Sequence, residues 1–117
     1  MKYMALIYID PSRMTPPDSP EFGKMMSGYR EANETYQRDG VYVSGDALQA
    51  ASTATTIRVR DGRTESMDGP FTETKEQLAG FYILDCASLD DAIRYAALIP
   101  GAAHGAVEIR PIMVFDR

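Results

Sequence analysis

Runs of apolar residues divide the chain into strands. Residues 3–9 are apolar without alternation and end at Asp10, which is typical of a strand buried on both faces. Residues 79–85 form another apolar run of strand length. Residues 41–44 are β-branched and aromatic and come directly before Gly45, so they predict a short strand that ends there.

Two stretches carry apolar residues at steps of three and four, which is the spacing of one helix face. Residues 20–39 follow Ser19, a residue type that caps helices, and they end at Gly40. Residues 89–99 follow Ser88, carry acids in the first turn, and end at a Pro-Gly pair. Both stretches predict helices.

The strongest local pattern lies in the middle of the chain. Residues 55–60 and 63–67 flank an Asp-Gly pair at 61–62, the dipeptide that a tight type I′ turn needs. They predict a β-hairpin. Residues 107–115 predict a final strand, in which Pro111 cannot donate to a ladder and marks a bulge or an edge.

The order of these elements predicts the fold class. It is the ferredoxin-like split βαβ plan with an additional β-hairpin, an α+β fold in one domain over residues 1–117. Both helices of that plan cover one sheet face, yet residues 3–9 and 81–84 are apolar on both sides. A second copy of the chain is the simplest cover for the other face. We therefore expect a homodimer with a small-molecule ligand in the cavity between its sheets.

Composition narrows the classes of function. Twelve basic against seventeen acidic residues give a formal net charge of −5, and the basic residues are scattered, which argues against nucleic-acid binding. No apolar run approaches the roughly 20 residues that cross a bilayer, so no membrane span is predicted.

The lone Cys86 and the absence of an export signal favour a cytoplasmic protein, with Cys86 as a small buried hydrophobe. His104 is the only histidine, so neither a metal site nor a cofactor is predicted.

The segment 68–76 combines a turn-forming Asp-Gly-Pro, an aromatic residue and two acids around a lysine. At the mouth of a pocket, Asp68, Glu73 and Lys75 can serve as acid, base or anion contact. The alternative is a surface turn anchored by Phe71, with ordinary solvated charges behind it.

Alternation along the strands predicts which side chains face the cavity. We assign Tyr8, Tyr82 and Arg110 to the cavity side, where a phenol or a guanidinium can fix a polar or anionic group. The alternative is that the tyrosines only pack in the interface and that Arg110 pairs with Glu108 or Asp46. The candidate ligand contacts are then Tyr8, Phe71, Lys75, Tyr82 and Arg110.

An enzyme acting on a small organic substrate is the second hypothesis. In it Asp46, Asp68 or Glu73 moves a proton while Arg110 or Lys75 holds an anion. The residues alone leave the reaction, and whether there is one, open.

Residues 68–82 resemble the signature segment of the DGPF proteins, within the YCII-related family, and the likeness extends to residues 45–48, 99–101 and 107–112. The resemblance implies a ferredoxin-like fold assembled as a dimeric α/β barrel. It implies little about activity, because the members are mostly uncharacterised. Some DGPF proteins are encoded beside extracytoplasmic-function sigma factors, so a sigma factor is a partner by family context. Other YCII-related branches carry a His–Asp pair with the histidine on the first helix, and residues 19–40 contain no histidine.

Overall fold

The secondary structure follows the order that the hydrophobic pattern predicts. A computed structural model describes residues 1–115. The strands are β1 (Lys2–Ile9), β2 (Tyr42–Ala47), β3 (Thr55–Arg60), β4 (Arg63–Asp68), β5 (Gln77–Asp85) and β6 (Ala106–Pro111). The helices are α1 (Pro20–Arg38), α2 (Leu89–Ala96) and α3 (Gly101–His104), with short 3₁₀ turns at Pro11–Arg13 and Ala51–Thr53. Within residues 1–115, no helix has the length and apolar character of a membrane span.

Four strands form the main sheet, in the order β2-β5-β1-β6, and every neighbouring pair is antiparallel. The strands β3 and β4 pair only with each other, as a separate two-stranded sheet. The α+β class is therefore confirmed, and the strand order is compatible with the ferredoxin-like plan.

The hydrophobic core lies between the main sheet and its helices. Its fully or nearly fully buried members are Tyr3, Ala5, Ile7, Ala32, Tyr36, Tyr82, Leu84, Cys86, Ala92, Ala96 and Ile99. Tyr36 is at its centre, with no exposed surface, and its hydroxyl donates to the carbonyl of Tyr95 at 2.7 Å. Its ring meets that of Tyr82 edge to face, with 5.3 Å between the centroids. Burying a large apolar side chain stabilises a fold by about 1.5–3 kcal/mol, so this layer holds the helices on the sheet.

The opposite face of the main sheet, here called the open face, carries the alternate residues of the same strands. Met4, Leu6 and Tyr8 of β1 and Phe81 and Ile83 of β5 alternate with buried positions and are each only partly buried. The register pairs Met4 with Ile83 and Leu6 with Phe81. Since the helices pack on the other face, none of these apolar side chains belongs to the buried core of the described residues.

The strand β2 is longer than the sequence predicts, because it continues through Gly45 instead of ending before it. A Cβ at Gly45 would lie 2.7 Å from the Cδ1 atom of Tyr82. The glycine therefore permits the close approach of a strand to an aromatic ring, and it does not mark a break.

The last strand and the second helix are shorter than predicted. The strand β6 ends at Pro111, so residues 112–115 lie outside it, and β6 is an edge strand, where a proline is tolerated. The helix α2 ends at Ala96, and the chain resumes a helical path only in α3, after Pro100.

The hairpin of β3 and β4 confirms its prediction in detail. Asp61 and Gly62 have φ angles of 52° and 74°, both positive, as the central positions of a type I′ turn require.

Candidate functional site

A cleft of about 700 Å³ lies where β1 ends and β5 begins, beside the open face. Its walls come from the ends of these two strands and from the segments on either side of the hairpin: Tyr8, Leu48, Gln49, Ala50, Ala51, Thr53, Ala54, Pro70, Phe71, Thr72, Thr74, Gln77 and Leu78. Small-molecule sites commonly enclose about 300–1,000 Å³, so the cleft has the size of a ligand site.

The first wall of the cleft, residues 48–54, is held to the main sheet by its backbone. The N–H of Leu48 donates to the carbonyl of Ala79 on β5 at 2.8 Å, which extends the pairing of β2 and β5 by one position. A 3₁₀ turn follows, in which the hydroxyl of Thr53 donates to the carbonyl of Ala50 at 2.7 Å.

The second wall of the cleft, residues 70–74, follows the hairpin and is joined to the first wall through Gly69. Its N–H donates to the carbonyl of Ala54 at 2.7 Å, and its own carbonyl accepts from the Thr56 hydroxyl at 2.8 Å. Gly69 has a φ of 103°, a conformation that residues with a Cβ rarely adopt. Farther along, the hydroxyl of Thr74 donates to the carbonyl of Glu76 at 2.6 Å, which closes the loop before β5.

Phe71 lines the cleft without being buried, since 70% of the residue is exposed. The guanidinium carbon of Arg58 lies 4.9 Å from the centroid of its ring. A cation over an aromatic face contributes about 0.5–1 kcal/mol at exposed sites. The ring therefore has no apolar socket within the described chain, while the exposed Asp68, Glu73 and Lys75 are compatible with the alternative of a surface turn with solvated charges.

The lining of the cleft contains no Asp, Glu, Lys, Arg or His, although 25% of the chain is charged. Its polar groups are one phenol, three threonine hydroxyls and two glutamine amides. Hydroxyls and amides both donate and accept hydrogen bonds. The cleft can therefore fix a polar ligand without supplying a charge of its own.

Two of the five predicted ligand contacts, Tyr8 and Phe71, line the cleft, whereas Lys75, Tyr82 and Arg110 do not. The assignment of Tyr82 to the cavity side is wrong. Tyr82 is 8% exposed and belongs to the core, because β5 pairs with β1 so that Tyr82 lies opposite Ala5. Burial raises the pKa of the Tyr82 phenol, and the neighbouring Tyr29 raises it further.

Arg110 lies on the open face as predicted, opposite Met4 on β1. Its Nε atom is 3.6 Å from the Oε2 atom of Glu108, one of the two ion pairs that the sequence offered for it. Both side chains are at least half exposed, and such pairs contribute about 0–1 kcal/mol. The guanidinium is therefore partnered and lies away from the cleft.

The structure does not bring the three candidate carboxylates together at the cleft. Asp46, Asp68 and Glu73 are all exposed, and none of them lines it. Asp46 lies opposite Phe81 on the sheet, Asp68 ends β4, and Glu73 stands between two threonines of the cleft wall. Their part in proton transfer stays a prediction.

Asp10, which sequence reasoning took only as the end of a strand, is the buried acid of the described chain, at 6% exposed. It accepts hydrogen bonds from the hydroxyl and the N–H of Ser12, at 2.7 and 3.0 Å. These bonds lower the pKa of the Asp10 carboxyl, and the charge of Lys75 adds to the effect. Lys75 does not line the cleft, and its charge only adds to the lowering of the Asp10 pKa. An Asp-x-Ser turn after the strand was the available signal.

Sequence reasoning also missed the polar residues of the cleft, because it assigned no role to residues 49–54 and considered only the aromatic and charged residues of the segment 68–76. The missed residues are Gln49, Thr53, Thr72, Thr74 and Gln77. One signal was present, since residues 47–57 contain no charged side chain, which is unusual for exposed chain.

Comparison with known proteins assigns the chain to a family. A sequence model of the YCII-related domain matches residues 1–116. The chain belongs to the YCII-related family. An uncharacterised protein of Rhizobium meliloti (strain 1021) is 37% identical over 117 residues, which cover 98% of this chain and 94% of that protein. The family resemblance of residues 68–82 is therefore confirmed at this level.

In this YCII-related chain, the groups that usually carry metal or thiol chemistry are isolated. His104 is exposed at the end of α3, and α1 contains no histidine, so the His–Asp pair of other YCII-related branches has no counterpart on that helix. Among residues 1–115, no cluster of three or more His, Cys, Asp or Glu is placed to hold a metal ion. Burial raises the pKa of the Cys86 thiol, which keeps it protonated at neutral pH.

Proposed function

We propose that this YCII-related protein is a homodimer that binds a small, uncharged molecule in the cleft between β1, β5 and the two segments beside the hairpin. The observation that carries the proposal is the cleft itself: about 700 Å³, with aromatic and neutral polar walls, at one end of an uncovered apolar sheet face.

The dimer follows from the open face. Its apolar side chains are partly exposed in the single chain, and each Å² removed from water contributes about 25 cal/mol. A two-fold axis would place the same face of a second copy against it, so that one patch serves both chains. In this arrangement the cleft would lie at the margin of the space between the sheets, next to the ligand cavity that the sequence leads us to expect there.

The ligand class follows from the walls of the cleft. A charged ligand would lose its hydration there without gaining a partner of opposite charge, which is unfavourable. A ring compound can stack on Phe71 or Tyr8, while its hydroxyl or amide groups reach Gln49, Thr72 or Gln77. The cleft therefore favours neutral ring compounds with a few hydrogen-bonding groups.

Saturation-transfer NMR with matched probes tests this ligand class. Phenol and benzamide represent neutral rings, and benzoate and benzylammonium represent their charged counterparts. Ala50→Trp places an indole in the cleft, and Ala103→Trp makes the same change on the exposed surface of α3. We expect transfer to the neutral probes in the wild type and in Ala103→Trp, and its loss in Ala50→Trp.

Two outcomes would contradict the proposal. One is an equal signal for the neutral probes in Ala50→Trp and Ala103→Trp, since binding would then lie elsewhere. The other is stronger transfer to benzoate or benzylammonium than to phenol and benzamide, since the cleft would then prefer a charge.

The rival functions lack a comparable observation. The carboxylate acid–base chemistry of the second hypothesis needs Asp46, Asp68 or Glu73 at the cleft, and none of them lines it. A sigma-factor partner and a cytoplasmic location stay predictions, the first from family context and the second from cysteine usage.

A further inference from the structure

The hairpin of β3 and β4, here called the arm (residues 55–68), stands apart from the rest of the molecule. It shares no ladder with the main sheet, and all of its residues except Thr56 are exposed. The radius of gyration is 16.4 Å, above the roughly 13 Å expected for a chain of this length. An isolated two-stranded hairpin is only marginally stable in water, so the arm lacks the support that such an element needs.

The two faces of the arm differ. The register places Arg58, Arg60 and Met67 on one face, and Arg58 rests there on the ring of Phe71. Ile57 and Val59 lie on the other face, 62% and 57% exposed, with hydroxyl side chains opposite them. One face therefore contacts the cleft wall, whereas the β-branched face has no contact of that kind within the described chain.

The area of the main sheet points to a second copy as the occupant. Four strands roughly 4.8 Å apart, paired over six positions of about 3.3 Å, give the open face roughly 400 Å². Two such faces bury roughly 800 Å², below the roughly 1,200–2,000 Å² of stable interfaces. If one face of each arm also packs on the partner, both that face and an equal area of the partner beneath it become buried. The two arms together then add roughly the same buried area again. The buried area of the dimer interface therefore reaches the range of stable interfaces only when the arms are included.

We propose that each arm reaches over a second copy of this chain and packs Ile57 and Val59 against it. The proposal rests on the homodimer of the proposed function and adds to it the element that completes the interface. The arm then folds firmly only in the dimer.

The dissociation constant of the dimer, measured by sedimentation equilibrium, tests the arm. The variant Ile57→Thr/Val59→Thr keeps β-propensity and removes the apolar surface, and Met67→Thr is the matched change on the other face. We expect the double variant to raise the dissociation constant at least tenfold and Met67→Thr to change it less than threefold. Amide hydrogen exchange in the wild type is a second measurement, and it needs no variant. The amide hydrogens of the arm should be protected at protein concentrations above the dissociation constant and should exchange freely at concentrations below it.

The outcomes separate the two proposals. A wild type that sediments at 12.9 kDa at every concentration overturns the homodimer itself. A wild-type dimer whose dissociation constant is the same in the double variant overturns the arm contact alone, as does an arm that is equally protected in the monomer. Binding of the dimer to anionic phospholipid vesicles that the double variant abolishes, with an unchanged dissociation constant, would assign the arm to a lipid surface and also overturn the proposal.

Discussion

A single substitution at the centre of the open face tests the dimer most directly. Leu6 lies between Phe81 of β5 and Glu108 of β6 in the register of the main sheet. Its side chain is partly exposed in the single chain and would be enclosed between two sheets in the dimer. Leu6→Asp places a carboxylate at this position, beside an existing acid.

The expected cost is large in the dimer and small in the monomer. In the single chain the new carboxylate still reaches water, so the free energy of unfolding should change by about 1 kcal/mol. In the dimer, each substitution removes about 1.5–3 kcal/mol of apolar burial and also encloses an unpaired charge. A two-fold axis repeats the change, so the total exceeds about 5 kcal/mol. Since about 1.4 kcal/mol is tenfold in a dissociation constant, dimerisation should weaken more than about 1,000-fold.

Light scattering and sedimentation over a concentration series measure this effect as a mass of 12.9 kDa or twice that value. Ile93→Asp is the matched control, because Ile93 is 49% exposed on α2, which packs on the other side of the sheet. We expect the control to dimerise as the wild type does and Leu6→Asp to remain monomeric and folded by circular dichroism. Equal dissociation constants for Leu6→Asp and the wild type would refute the reasoning.

Three further substitutions test the packing and the charges around the sheet. Tyr36→Phe removes the hydroxyl that donates to the Tyr95 carbonyl, which keeps the N–H of Leu98 as a partner at 3.1 Å, so the free energy of unfolding in urea should fall by about 1 kcal/mol. Tyr3→Phe, the matched change, should have a smaller effect. Because the pKa of Asp10 is lowered below 3.8, its carboxylate stabilises the fold above that pH, and this stabilisation is lost as the pH falls below it. Asp10→Asn should therefore lower the urea midpoint at neutral pH and leave it less dependent on pH below about 4; an equal pH dependence in both proteins would exclude this role. Lys75→Met should show a weaker form of the same change.

The sequence predicts the elements better than it predicts the faces of the sheet. Periodicity and turn chemistry are local, and they located both main helices and the hairpin with its Asp61-Gly62 turn. The alternation of side chains along a strand is also local. It divides the residues of each strand between the two faces of the sheet, but it does not show which face the helices cover. That choice depends on register, and pairing of Ala5 with Tyr82 placed the tyrosine in the core.

The sequence predicts only part of the candidate site, because the rest depends on contacts between distant segments of the chain. Tyr8 and Phe71 stand out as aromatic residues beside a strand and in a signature segment, and both line the cleft. Its other wall, residues 48–54, contains small and neutral residues that have no chemistry of their own. They become a site only because the N–H of Gly69 joins the two walls, a contact between segments separated by the whole hairpin.

The insertion between β2 and β5 concentrates the variable functions of the molecule in one stretch of chain. It supplies most of the cleft wall and all of the arm, and it contributes none of the buried core side chains. Changes in its length or composition can therefore alter what the protein recognises while the main sheet and its helices stay intact. Divergence among relatives should accordingly appear first in this stretch, with ligand preference and mode of assembly changing together.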